Sequence, residues 1–314
     1  MSDTTKLAAE SEGRIDYPSA NPFEFTQILR GLEQAPEQEM FGQLIFPERA
    51  AGPVPLVICC HGSLGWRGHH HEYMVRFLEM GIAVFRVHSF DARQVVSVVE
   101  DQMQVTMASM IVDSYRALQL LSTHPRIDAA KIGITGWSLG GSVALYSGWE
   151  PVAERLASGG ERFAAHLPLY PAAHVRPEER RWTRAPIRVL IGGDDDYTPA
   201  WFATELADEL RPAGVDIEVT VYPDAQHSFD SIEPAAFLPL AIGLGKKTTT
   251  VARDGSMFVT GSDGTRHPVD EPRHREASFK AMKARGAHIG GSWDARRHCF
   301  DDACDFFGQH LLGA

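Results

Sequence analysis

The strand-like run Lys131-Ile132-Gly133-Ile134-Thr135 leads into Gly136-Trp137-Ser138-Leu139-Gly140-Gly141, and a helical stretch follows to about Ser147. No other feature of the chain restricts its fold so much. Three glycines around one serine suit a strand that turns sharply into a helix packed close to its sheet. Side chains at 136 and 140 would collide in so tight a turn, and small residues at 141 and 142 let the helix approach. Ser138 is then lifted to the rim with its hydroxyl exposed, the placement of a nucleophile elbow. The same glycines would serve a plain strand–helix turn, so the chemistry depends on what the rest of the chain brings to that rim.

The pattern around this motif alternates. Val54-Pro-Leu-Val-Ile-Cys-Cys60 is a short apolar run ending at His61-Gly62, and residues 82–88 form another. Between them, apolar residues recur at helical spacing from Glu72 to Leu78, and a long helical pattern covers 100–123. Further strands are expected at 163–169, 187–192 and 215–221. A helix is expected at 199–212, with Thr198 as its cap and Pro199 at its first position. A last helix covers about 295–312. Strands alternating with helices imply an α/β fold, a mostly parallel central sheet with helices on both faces. Ligands of such a sheet lie at the carboxyl ends of its strands.

Two segments stand apart. Residues 1–22 are polar and read as a loose N-terminal arm, leaving 23–314 as one domain. Residues 245–275 are rich in Thr, Lys, Gly and Asp, and Asp254-Gly255 separates two strand-like runs, which signals a hairpin. This insertion is expected either to cover the cleft, to build a homodimer contact, or to stay a solvated surface hairpin.

Composition narrows the partners. With 41 acidic and 30 basic residues the net charge is −11, and such a surface repels phosphate backbones, so nucleic acid is not expected as a partner. No stretch approaches the roughly 20 apolar residues of a membrane span, and the start Met1-Ser2-Asp3-Thr4-Thr5-Lys6 lacks the apolar core of a signal peptide. Four cysteines do not make a disulfide scaffold: Cys59 and Cys60 point to opposite faces of a strand, and Cys299 and Cys304 to different faces of a helix. The expectation is reduced thiols in a cytoplasmic protein.

A serine hydroxyl is a poor nucleophile until a base takes its proton. In an elbow-bearing sheet the base is a histidine held by a carboxylate, in the chain order Ser, Asp, His. The strand ending at Ile191 runs into Gly192-Gly193-Asp194-Asp195-Asp196-Tyr197-Thr198-Pro199. The strand ending at Tyr222 runs into Pro223-Asp224-Ala225-Gln226-His227-Ser228-Phe229-Asp230. Each candidate follows a different strand, so one rim can gather Ser138, an aspartate of the first loop and His227.

These segments resemble the dienelactone hydrolase family of the α/β-hydrolase superfamily. The matching pieces are His61-Gly62-Ser63-Leu64-Gly65, Ser89-Phe90-Asp91-Ala92-Arg93-Gln94, the Ser138 elbow, the Gly192-to-Pro199 loop, His227-Ser228-Phe229, and the tail from Gly286 through Arg296. The resemblance selects Asp195 as the catalytic aspartate. It implies an oxyanion hole made by the backbone N–H groups of Leu139 and Ser63, and an arginine at Arg93 that binds a substrate carboxylate. The chain departs from the archetype in three places. It has Ser138 where the archetype has cysteine, no glutamate in the loop after His61, and Ser231 in place of a second substrate-binding arginine. A broader esterase or lactonase is therefore expected, acting on a small ester or lactone through an acyl-enzyme and needing no cofactor. A prolyl-oligopeptidase-type peptidase and a non-catalytic binding protein on the same fold are the rivals. The first usually carries a large gating domain, for which the chain has no room. The second usually lacks triad members.

Trp66, Trp137 and Tyr197 fall near the expected rim, where they would line an apolar pocket. The run His69-His70-His71 suggests a metal only superficially, because three consecutive histidines at a helix start cannot converge on one ion.

Overall fold

The computed structural model of the chain describes residues 6–49, 52–282 and 284–313. An eight-stranded sheet forms its centre. Its strands are β1 (Gly13–Ala20), β2 (Glu37–Ile45), β3 (Val54–Cys60), β4 (Ala83–Val87), β5 (Ile127–Trp137), β6 (Ala165–Leu169), β8 (Ile187–Gly192) and β9 (Ile217–Tyr222), in the spatial order β1-β2-β4-β3-β5-β6-β8-β9. The pairs β1–β2 and β2–β4 are antiparallel, and every later pair is parallel. The omitted number, β7 (Val175–Pro177), belongs to a smaller sheet.

Strand β3 is buried along its whole length, as a central parallel strand covered on both faces must be. The pairing of Cys59 with Thr135 and of Cys60 with Gly136 places the two cysteines on opposite faces, as expected. On the Cys60 side lies α3 (Met107–Leu121), whose Ser114 hydroxyl is 3.3 Å from the Cys60 thiol. Gly133, which shares the Cys59 face, meets Phe307 at the end of α8 (Trp293–Phe307). Helix α8 packs there on α2 (Gly68–Glu79), with Tyr73 stacked on Phe300. The remaining covering helices are α1 (Phe25–Gly31), α4 (Leu139–Tyr146), α5 (Glu150–Leu156) and α6 (Ala200–Leu210). Cys59, Cys60 and Cys299 are buried, Cys304 is half-buried, and all four are free.

The structure corrects three local expectations. The N-terminal stretch is not a loose arm, because Gly13–Ala20 forms the edge strand β1 and buries Ile15, Tyr17 and Ser19 on alternate positions. Pro18 disguises it, yet a proline is tolerated on an edge strand, whose outer N–H groups have no partner to lose. Residues 1–5 of the expected arm lie outside the described residues. The long helix begins at Met107 and not near 100, because the Thr106 hydroxyl accepts from the Ser109 N–H and caps it there. Helix α6 is capped at Pro199 and starts at Ala200, and the Thr198 hydroxyl is engaged elsewhere.

The insertion is larger than a hairpin. It leaves the main sheet after the loop that follows β9 as β10 (Ala236–Gly243), continues through β11 (Thr249–Val251), β12 (Met257–Thr260), β13 (Arg266–Pro268) and α7 (Pro272–Met282), and returns as β14 (Ala284–Ile289). The expected hairpin is β11–β12, antiparallel around Asp254-Gly255. It joins β13 on one side and, in parallel, β7 on the other, forming a four-stranded sheet. Strands β10 and β14 pair as a separate ribbon. Among the described residues, no helix is long and apolar enough to cross a membrane.

Candidate active site

The elbow is built as the glycine spacing requires. Ser138 has φ 55° and ψ −111° between the end of β5 and the start of α4, a strained backbone for a residue with a side chain. A Cβ on Gly140 would lie 2.0 Å from the Cys60 carbonyl oxygen, and one on Gly141 would lie 2.3 Å from that of Leu169. Only glycine lets α4 sit this close to β3 and β6.

Three loops at the carboxyl ends of β5, β8 and β9 then meet. The Ser138 hydroxyl is 2.9 Å from His227 Nε2, and His227 Nδ1 is 2.7 Å from Asp195 Oδ2. Asp195 and His227 are both buried. The N–H groups of Tyr197 and Thr198 donate to Asp195 Oδ1 at 2.9 and 2.7 Å, which holds the carboxylate in a fixed orientation. Its neighbours behave differently. Asp194 and Asp196 are exposed, and Asp196 binds His288 of β14 through both the backbone N–H and Nδ1.

Thr198 carries a role that sequence reasoning missed. Its hydroxyl lies 3.0 Å from both Asp195 Oδ2 and His227 Nδ1, and it can donate to the Tyr170 carbonyl at 3.1 Å. The position before Pro199 reads naturally as a helix cap, so the spacing gave no separate signal. The rings of Tyr170 and Tyr197 flank the imidazole, with centroids 4.8 and 4.7 Å from it. Tyr170 also donates to the buried carboxylate of Asp230 at 2.8 Å.

Of the two residues expected to supply oxyanion donors, Leu139 directly follows Ser138 and Ser63 lines the same cavity as Ser138. Leu139 opens α4, whose first N–H groups have no partner inside the helix. The loop carrying Ser63 presses on the elbow, so that a Cβ on Gly62 would come within 3.4 Å of the Ser138 Cβ. His61 fixes this loop. Its Nδ1 is 2.9 Å from the Gly62 carbonyl and its Nε2 accepts from the Phe90 N–H. Burial pushes His61 down to about 4, so the ring is neutral near pH 7. Gln102, which no motif marks, donates to the hydroxyls of Ser63 and Tyr197 at 3.0 and 3.3 Å. Burial pushes the Tyr197 hydroxyl up to about 12, so it stays protonated.

Two expected substrate contacts are displaced. Arg93 does not face the cleft. Its side chain is 4% exposed and paired with Asp113, and it also donates to Ser89 O and Asn21 Oδ1. A buried carboxylate on α3 demands a cation, and Arg93 supplies it. Trp66 packs instead among His61, His71 and Trp137, away from the lining. Trp137 is buried, with its ring against His70. Tyr197 does line the cleft.

Within the histidine run, His70 has a structural contact. His70 Nδ1 accepts from the Arg67 N–H at the start of α2, and burial pushes its ring well below the usual histidine range. Among the described residues, no group of three or more His, Cys, Asp and Glu could hold a metal ion.

Above Ser138 opens a cavity of about 350 Å³. The insertion roofs it: Ile242, Leu244, Met257, Val269 and Arg275 line it together with Leu139 of α4 and Val175 of β7. Strands of the ribbon are tied to the site. The Leu244 N–H donates to Tyr197 O, the Ile242 N–H to Val99 O, and the Gly290 N–H to His227 O. Arg275 forms an ion pair with Glu24 and donates to Gln102 O at 2.9 Å.

Comparison with known proteins gives a consistent picture. The sequence profile of the dienelactone hydrolase family matches residues 40–248. A Yersinia pestis protein named “Putative carboxymethylenebutenolidase” is 27% identical over 199 residues, 59% of this chain and 72% of that protein. Among solved structures, the dienelactone hydrolase-like promiscuous phosphotriesterase from metagenomic libraries superposes with a TM-score of 0.54 at 17% identity, covering 95% of this chain and 99% of that one. Thermogutta terrifontis esterase 2, phosphoramylated by tabun, gives 0.50 at 16% identity, covering 61% and 80%. At these identities the structural likeness establishes the α/β-hydrolase fold.

Proposed function

Because the chain belongs to the dienelactone hydrolase family, we propose that it is a carboxylic ester hydrolase with a serine nucleophile, acting on a small ester or lactone. The observation that carries this reading is the unbroken hydrogen-bonded chain from Ser138 through His227 to Asp195, set on a strained elbow at the mouth of a cavity.

Ser138 Oγ attacks the carbonyl carbon while His227 Nε2 takes its proton. Asp195 stabilises the imidazolium that forms, and its two backbone hydrogen bonds keep it in place as the charge develops. The carbonyl oxygen becomes an oxyanion, whose stabilisation we assign to the N–H groups of Leu139 and Ser63. Collapse breaks the bond to the alcohol, which leaves with the proton from Nε2. Water then enters, loses a proton to His227, attacks the acyl-enzyme and releases the acid with Ser138 restored. No step calls for a metal or an organic cofactor.

Four unpaired cysteines suit a reducing compartment, and we place the enzyme in the cytoplasm on that basis. The nucleophile is tested by a fluorophosphonate probe followed by peptide mapping, with label expected on Ser138 and absent from Ser138→Ala. Hydrolysis of a panel of esters, lactones and aminoacyl anilides separates esterase from peptidase. Turnover confined to the anilides would overturn the ester reading.

A further inference from the structure

Ser138 stands between two unequal spaces. On the side of α4 lies the roofed chamber of about 350 Å³, against Leu139, Ser142 and Met107. On the side of the imidazole lies a niche of about 50 Å³, bounded by Trp137, Tyr170, His227, Leu238 and Ile289. Ser63, Ser138 and Tyr197 touch both. Strand β10 helps divide them, with Leu238 facing the niche and Ile242 the chamber, on either side of a register shift. Ile289, paired beside His227, borders the niche on the other side.

The sizes restrict what each space can take. One water needs about 10–15 Å³ of such space, so the niche takes a small group of about three to five non-hydrogen atoms. The chamber has the volume of a small-molecule site.

Proton transfer decides which half of an ester goes where. The departing oxygen must receive its proton from His227 Nε2, so it leaves on the imidazole side. His227 borders the niche and not the chamber. The acyl carbons, which stay bonded to Ser138 Oγ after the carbon–oxygen bond breaks, then extend beneath the insertion. The water of the second step enters the space that the alcohol has vacated, where His227 can take its proton.

We propose that this enzyme selects esters of a bulky acid with a small alcohol such as methanol or ethanol, with the acyl group in the roofed chamber and the alcohol in the niche. The assignment rests on the serine-hydrolase reading above.

The test compares two isomers of equal atom count on the purified full chain, methyl 4-phenylbutanoate and 3-phenylpropyl acetate. They differ only in which side of the ester carries the bulk. We expect kcat/KM for the methyl ester to exceed that for the acetate by at least about tenfold, the discrimination that a pocket contact of one or two methylenes provides. An equal or reversed preference overturns the assignment. Failure to hydrolyse either isomer while Ser138 reacts with a fluorophosphonate overturns it and leaves the nucleophile standing, whereas absence of labelling removes both. As a second measurement, Leu238→Ala should enlarge the niche and raise the butyl-to-methyl rate ratio for 4-phenylbutanoate esters by about tenfold. An unchanged ratio in the folded variant counts against the niche as the alcohol site.

Discussion

The Arg93 guanidinium meets the Asp113 carboxylate through two parallel hydrogen bonds, Nη1 to Oδ2 at 2.8 Å and Nη2 to Oδ1 at 3.0 Å. Asp113 also accepts from the hydroxyls of Ser19 and Ser89, so the pair joins β1, the loop after β4 and α3. Arg93→Ala would leave Asp113 buried and unpaired, at a cost of about 3–5 kcal/mol. Chemical denaturation should show that loss. Activity in the surviving folded fraction should fall equally on an ester with a free carboxylate and on a neutral ester of the same size. The double variant Arg93→Met, Asp113→Leu should recover much of the stability. A loss confined to the charged ester would return Arg93 to the substrate.

Asp195 and Asp196 are adjacent and have different partners. Asp195→Asn should lower kcat by about 10⁴-fold, because an amide cannot hold the imidazole in the required tautomer or stabilise its charge. Asp196→Asn weakens only the link to His288 and should cost less than about tenfold. Steady-state kinetics on both variants, with circular dichroism to confirm folding, decides the register. If the Asp196 variant were the inactive one, the hydrogen-bonded chain described above would not be the catalytic one.

Thr198→Val keeps the shape of the side chain and removes the hydroxyl beside Asp195 and His227. A hydrogen bond to a charged group contributes about 1.5–3 kcal/mol, so kcat should fall by about tenfold or more with KM little changed. A positioning role also predicts partial rescue by Thr198→Ser. Unaltered kinetics in the valine variant would mean that the hydroxyl serves the Tyr170 carbonyl alone.

The legible parts of this molecule were those written in local spacing. The elbow glycines, the loops at 192–199 and 223–230 and the β11–β12 turn each declare themselves within a few residues, and the structure places them as expected. Long-range partnerships left no such trace. Nothing near Arg93 in the chain announces Asp113 on α3, and nothing near Gln102 announces Ser63 and Tyr197. Strand β1 hid behind Pro18 and a polar outer face. The insertion read as a hairpin because its turn is local, whereas its role as a roof depends on Met257, Val269 and Arg275 meeting α4, β7 and Gln102 in space.

Buried neutral histidines make the fold acid-sensitive. Burial pushes His61 and His166 each down to about 4, against an unfolded value near 6.5. Between these values the unfolded chain binds more protons than the native one, so stability is full above pH 6.5 and falls as the pH drops toward 4. Each group contributes a slope of up to about 1.4 kcal/mol per pH unit. Urea denaturation at pH 7, 6, 5.5 and 5 should show the decline. His166→Gln, which can still donate to the Ala144 carbonyl, should flatten it by about one proton. An undiminished slope in that variant would assign the acid sensitivity to other groups.

Arg275 tests the insertion as a roof. Its guanidinium pairs with Glu24, donates to the Gln102 carbonyl and lies over the Phe23 ring, so one side chain pins α7 to the start of α1 and to the loop beside Ser63. Burial pushes it down to about 9, which still leaves a cation at neutral pH. Arg275→Ala removes that cation and strands the buried Glu24 carboxylate. The main sheet does not depend on this contact, so the loss should appear as local opening of the insertion before global unfolding. Lys246 and Lys247 are exposed on the strap between β10 and β11. Limited trypsinolysis there should accelerate in the variant, and KM for a bulky ester should rise by more than kcat falls, since the roof binds the acyl group and does not touch the proton transfer. Unchanged cleavage together with unchanged KM would mean that the insertion holds its place without Arg275. A fall in kcat at constant KM would instead route the effect through Gln102 to Ser63 and the oxyanion hole.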